Sequence, residues 1–212
     1  MIIKVCGMRE PDNIRAVEAL GIDMIGFIFW PRSSRYVSSR PAYLPAACKR
    51  VGVFVDADID DVCRIADDYA LDYLQLHGHE SPDYLHRLRS LCGASRLIKA
   101  FNIATPDDLA ATNAYVGFAD IFLFDTKGPS VGGNGQKFDW SVLAAYNGAT
   151  PFLLSGGIAP DDAPRLRQSF ALDGFPVETC LGIDLNSRFE LSPALKDVAA
   201  LKQFISELNT ET

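Results

Sequence analysis

Eight short apolar runs of strand length, each followed by polar or helix-like sequence, constrain this chain more than any other feature. They are Ile2 to Cys6, Asp23 to Phe29, Val51 to Val55, Asp72 to Leu76, Arg96 to Phe101, Ala119 to Asp125, Thr150 to Leu154 and Glu178 to Asp184. Most are apolar at consecutive rather than alternate positions, the pattern of strands covered on both faces. Four intervening segments carry helix-start chemistry. Ser81-Pro82-Asp83 and Thr105-Pro106-Asp107-Asp108 offer a capping hydroxyl ahead of a proline, while Arg9-Glu10-Pro11-Asp12 and Ala159-Pro160-Asp161-Asp162 put proline and acids in a first turn. Near the end, Leu195, Val198, Leu201, Ile205 and Leu208 repeat at helical spacing and predict an amphipathic helix. Strand and helix are therefore expected to alternate throughout, about one unit per 25 residues, which implies parallel strands joined by right-handed crossovers. Eight units predict a single (β/α)8 TIM barrel spanning residues 1–212. An open doubly wound sheet is the alternative, but no Gly-x-Gly-x-x-Gly turn follows the first run.

A chain of 212 residues supports one core. It enters strand-like sequence at Ile2 without an apolar leader, and its longest apolar run, Met24 to Trp30, falls far short of the ~20 residues of a spanning helix. Neither export nor a membrane role is expected, and the cytoplasm is the expected location. Net charge is −7 with scattered basic residues, which argues against nucleic acid as a partner. An anionic ligand must then be held by local groups. Cys6, Cys48, Cys63, Cys92 and Cys180 are odd in number, widely spaced and lack a Cys-x-x-Cys pair, so neither a disulfide framework nor a zinc site is indicated and a reducing compartment is expected.

In a barrel of this kind the chemistry collects at the carboxyl ends of the strands. The first ends in Cys6-Gly7, with Lys4 on the same face; a buried core thiol is the plain reading, and a base tuned down by the ammonium is the functional one. Lys4 itself reads as an interior ion-pair partner. The loop after the second strand holds Arg32 and Arg35, either able to fork a carboxylate, with Arg32 better read as a solvated surface residue. Gln75 and His77 share a face after the fourth strand and are placed to line the mouth. Asp125 closes an apolar run, where burial would help it keep a proton to donate, although an ion-pair or capping acid fits equally. A glycine-rich loop, Gly128 to Lys137, follows with the length of a lid. Ser155-Gly156-Gly157 precedes a helix start, and together with Asp184, Asn186 and Ser187 at the end of the eighth strand it predicts a phosphate site.

Several of these stretches together resemble the phosphoribosylanthranilate isomerases of tryptophan biosynthesis. The matching segments are Lys4-Val5-Cys6-Gly7, Gly26 to Val37, Val51 to Val55, Gln75-Leu76-His77-Gly78, Asp125-Thr126-Lys127 with Gly132-Gly133-Asn134-Gly135 and Phe138-Asp139-Trp140, and Leu154-Ser155-Gly156-Gly157. The resemblance implies an Amadori rearrangement of N-(5-phosphoribosyl)anthranilate to 1-(2-carboxyphenylamino)-1-deoxyribulose 5-phosphate. By position it implies that Cys6 is the general base, Asp125 the general acid and Arg35 the holder of the anthranilate carboxylate, with phosphate on backbone near Gly156, Gly157, Asp184 and Asn186. It implies no cofactor and no metal; the partner is the small phosphosugar substrate, and monomer and homodimer both stay open. Two departures stand out. Asn186-Ser187-Arg188-Phe189-Glu190 replaces a run of small residues with a glycine, and Met8 stands where a branched aliphatic residue is usual. A different sugar-phosphate reaction on the same barrel, or a non-catalytic phosphate-binding barrel, are the rival readings; a mere binder has no use for Cys6 and Asp125 together.

Overall fold

Alternation of inward and outward side chains along eight parallel strands sets the architecture of the computed structural model, which describes residues 1–126 and 140–209. The strands are β1 (Ile2–Val5), β2 (Met24–Ile28), β3 (Lys49–Phe54), β4 (Tyr73–Leu76), β5 (Arg96–Ile103), β6 (Ile121–Thr126), β7 (Phe152–Leu154) and β8 (Cys180–Leu185). Each pairs with the next, and β1 pairs with β8 to close the barrel. All eight lie on the expected apolar runs, so the barrel reading holds. Met24, Val51, Ile98, Ile121, Leu123 and Leu153 point inward and pack on one another. The alternate positions, among them Val5, Ile25, Leu74, Phe122, Phe124 and Phe152, face the helices and belong to the outer core. Burying each such phenylalanine contributes roughly 1.5–3 kcal/mol. Apolarity at consecutive positions therefore records two different cores, one on each face of the same strand.

The ring closes with Ile2 opposite Gly182 and Lys4 opposite Asp184. Gly182 is required there, because an added Cβ would run into the backbone of Ile2.

Among the described residues five α-helices cover the barrel: α1 (Pro11–Glu18), α2 (Ile59–Tyr69), α3 (Pro82–Leu91), α4 (Ala163–Phe170) and α5 (Val198–Leu208). Ser81 caps α3 as expected, accepting from the Tyr84 amide. The even alternation of strand and helix does not hold. No helix joins β2 to β3, where Pro31, Pro41 and Pro45 withhold backbone donors. After β5 the chain forms a 3-10 segment, Pro106–Tyr115, in place of an α-helix; a capping box links Thr105 and Asp108, but only Leu109 and Thr112 are buried, too little packing to hold a longer helix. Another 3-10 segment, Trp140–Ala145, leads toward β7. The expected start at Ala159-Pro160 is also displaced. Asp162 accepts from the Ala159 amide and closes a turn, so α4 begins only at Ala163. Leu195 leaves the terminal helix altogether: it lies in β10 (Leu195–Lys196), paired antiparallel to β9 (Glu190–Ser192), and the buried face of α5 is Leu201, Phe204 and Leu208.

Cys63 on α2 and Cys92 after α3 form a disulfide with their Cα atoms 5.6 Å apart, a pairing that the odd, widely spaced cysteines did not indicate. Their separation of 29 residues is about one β/α unit, so neighbouring helices bring them side by side. No described helix is long and apolar enough to cross a membrane.

Candidate active site at the strand ends

The inward parity that fills the barrel continues past the strand ends and supplies the site. Counting in twos from Ile121 and Leu123 leads to Asp125, from Leu153 to Ser155, from Gly182 to Asp184 and Asn186, and from Lys4 to Cys6. Side chains that would be apolar filler deeper in the barrel become polar at its mouth. Cys6, Gln75, His77, Asp125, Ser155, Gly156, Gly157, Asp184 and Asn186 all line one cavity of about 180 Å³. A roomier open cleft of about 540 Å³ involves Asp23, Lys49, Arg50 and Asp72 at the opposite strand ends, where the Lys49–Asp72 ion pair of 2.8 Å serves the framework.

Cys6 is buried, and burial is the main reason its thiol pKa is raised; the Lys4 charge pulls it down, and Asp184 pushes it up again. The expectation that the ammonium lowers this thiol below its ordinary value is thus reversed. Lys4 is fully buried and donates to Asp184 at 2.8 Å, the interior pairing anticipated for it. Burial alone would lower the lysine, but Asp184 and Cys6 outweigh it and leave its pKa raised. The Ser155 hydroxyl adds a long 3.4 Å bond to the other oxygen of Asp184.

Across the cavity, Asp125 is 33% exposed and lies 3.4 Å from Nε2 of His77. Its setting is the rim rather than the apolar burial expected of it. Gln75 Nε2 lies 3.1 Å from His77 Nδ1. An amide N–H donating there makes Nδ1 the acceptor and leaves the imidazole proton on Nε2, facing Asp125. Gln75 Oε1 is buried without a partner among the described residues. The loop that carries His77 is fixed from behind by Glu80, which accepts from the Gly78 and Asp56 amides and from the buried Lys99 at 3.0 Å. Nothing in the sequence marks Glu80 and Lys99 as partners, since they lie on opposite sides of a helix.

Arg35 stands apart from the cavity lining. Its Nε and Nη2 grip Glu190 at 2.8 and 2.6 Å, and Lys196 binds the same carboxylate at 2.7 Å. Glu190 is pulled below its ordinary pKa by these two cations against the opposing effect of burial. The arginine's aliphatic stem passes over Gly7, whose φ of +76° and lack of a Cβ let it approach: a Cβ there would lie 2.7 Å from Arg35 Cδ and 2.8 Å from Asn186 Oδ1. Lys196 also donates to Asn186 Oδ1 at 2.8 Å, so Arg35 and Asn186 share one support. This Glu190–Lys196 support is invisible in sequence, because it is assembled by the small hairpin of β9 and β10.

Gly156 and Gly157 take φ of +92° and +69°. With α4 starting at Ala163, they do not directly precede a helix as expected. The glycine-rich loop from Gly128 to Lys137, together with Lys127, Phe138 and Asp139, lies outside the described residues.

Comparison with known proteins places these features in a wider group. Residues 3–207 match the family model described as N-(5'-phosphoribosyl)anthranilate (PRA) isomerase. A protein of Phocaeicola vulgatus named N-(5'-phosphoribosyl)anthranilate isomerase is 50% identical over 98% of both chains. The crystal structure of phosphoribosyl anthranilate isomerase from Thermotoga maritima superposes with a TM-score of 0.79 at 28% identity, covering 98% of each chain. Another isomerase structure, in complex with reduced 1-(o-carboxyphenylamino)-1-deoxyribulose 5-phosphate, gives a TM-score of 0.77 at 26% identity, again over 98% of each.

Proposed function

From the premise that this chain belongs to the N-(5'-phosphoribosyl)anthranilate isomerase family, isomerases of tryptophan biosynthesis, we propose that Cys6 and Asp125 move the two protons of the rearrangement. The observation that carries this reading is their convergence on one cavity from the ends of β1 and β6, three strands apart around the barrel. The substrate is N-(5'-phosphoribosyl)anthranilate. Asp125 gives a proton to the ribose ring oxygen as the carbon–oxygen bond at the anomeric carbon breaks, leaving an iminium with the anthranilate nitrogen. The Cys6 thiolate then takes the proton from the neighbouring sugar carbon, and the enolamine so formed tautomerises to the ketose product. The substrate is oxidised at one carbon and reduced at the next, so electrons stay within it and no external carrier is called for. Two groups at fixed separation suffice.

The remaining residues fit supporting tasks. His77, with its proton on Nε2, steadies the Asp125 carboxylate, and the unpartnered Gln75 Oε1 is positioned to accept a sugar hydroxyl. Arg35 offers its Nη1 edge to the anthranilate carboxylate while Glu190 holds the other edge. Gly156, Gly157, Asp184 and Asn186 surround the phosphate end through their backbone. The setting we propose is the cytoplasm.

The test is direct. Purified protein should extinguish the fluorescence of N-(5'-phosphoribosyl)anthranilate, and Cys6→Ser should lower kcat by about 10²–10⁴-fold while a product analogue still binds. Full turnover by the serine variant removes Cys6 from the chemistry; no turnover by folded wild-type protein ends the assignment.

A further inference from the structure

The charges around the 180 Å³ cavity are unevenly matched, and one of them has no task in the reaction above. Among the described residues its lining carries two carboxylates, Asp125 and Asp184, and one arginine or lysine, Arg188. Asp184 is balanced from below by the buried Lys4. The nearby cations Arg35 and Lys196 are both committed to Glu190. Arg188, by contrast, is exposed and makes no hydrogen bond or ion pair with another described residue. Its backbone is nonetheless anchored. It occupies the short 3-10 turn Ser187–Phe189, where the Phe189 amide donates to the Asn186 carbonyl at 3.1 Å and the Phe189 ring is buried against Phe204 at 5.1 Å. A fixed backbone thus carries an uncommitted guanidinium on a residue that lines the same cavity as Gly156, Gly157 and Ser187.

We infer that Arg188 is a further substrate-binding residue: its guanidinium grips the terminal phosphate of the sugar and makes the site selective for phosphorylated over unphosphorylated substrate. A phosphate dianion entering a chain of net charge −7, past two carboxylates, meets repulsion that backbone dipoles alone counter weakly. A guanidinium forks two phosphate oxygens and keeps its charge at every working pH. The family's usual small residues at this turn cannot do this, so the departure seen in the sequence adds a side-chain contact to the backbone cradle. The inference rests on the isomerase reading for the molecule that carries the phosphate, and on geometry alone for the cation.

Two measurements on Arg188→Ala, Arg188→Gln and Arg188→Lys decide it: competitive inhibition by inorganic phosphate, and steady-state turnover of N-(5'-phosphoribosyl)anthranilate. The alanine and glutamine variants should each weaken phosphate inhibition and raise KM about tenfold, with kcat within about twofold of wild type. Lysine should recover part of the loss, since it restores the charge without the fork. Phosphate inhibition within about twofold of wild type in both neutral variants would overturn the inference, as would a fall in kcat at unchanged KM. A wild-type protein that binds phosphate through Arg188 but does not turn over the substrate would sink the isomerase reading and leave the cation's role intact.

Discussion

Cys6 is subject to two opposed demands, since a base must shed its proton and a barrel interior resists the charge that results. Burial has the upper hand in the folded protein, with Lys4 only partly offsetting it. The sign of the pH dependence follows. The thiolate is the working form, its population falls about tenfold for each pH unit below the raised pKa, and kcat/KM for the free enzyme should climb between pH ~7 and ~9 without levelling off. A plateau below pH ~8 would show that Lys4 dominates instead. At this scale the sequence was informative about position and silent about environment. Cys6 and Asp125 are legible because strand parity carries them inward, whereas the sign of the thiol's shift depends on how deeply the completed barrel buries it. The exposure of Asp125, likewise, is a property of the rim and not of the apolar run before it.

Strands were easier to read than the segments between them, for a physical reason: each strand is sandwiched between two cores, while a connecting helix needs only one sparse apolar stripe. The loop from β2 to β3 and the 3-10 segment after β5 satisfy their burial with so few side chains that no helical period is imposed. The α2–α3 pair shows the same limit in another form, because the pairing of Cys63 with Cys92 depends on which helices are neighbours. That crosslink ties down one end of α3, while Glu80, just ahead of the helix, is held by Lys99 at the other. Closing a loop with a separation of 29 residues should stabilise the fold by about 2–4 kcal/mol. Urea unfolding of Cys63→Ser should show a midpoint lowered accordingly, and wild type under dithiothreitol should move to the same value. Coincident midpoints for oxidised and reduced wild type would show that the crosslink adds nothing to stability. Activity should survive reduction, since the bond lies at the end of α3 away from His77.

For the molecule as a whole, the decisive join is the one between the first and last barrel strands. Gly182 permits it by leaving room for the backbone of Ile2, and Lys4 spans it to reach Asp184. Gly182→Ala should therefore destabilise the fold by more than ~3 kcal/mol, read as a large drop in the thermal midpoint or as insoluble protein. An alanine variant as stable as wild type would show that the seam can shift to admit a methyl group. The closed barrel itself was readable from eight runs of matching character; which residues stitch it shut was not, because β1 and β8 are 180 positions apart where Lys4 meets Asp184. That stitch has a consequence for how the protein comes into being. The thiol leaves the ribosome well ahead of the acid that pairs with its neighbouring lysine, which lies within the eighth strand, and of the turn bearing Arg188, which follows that strand, so a nascent or prematurely ended chain carries the reactive group without the means to use it.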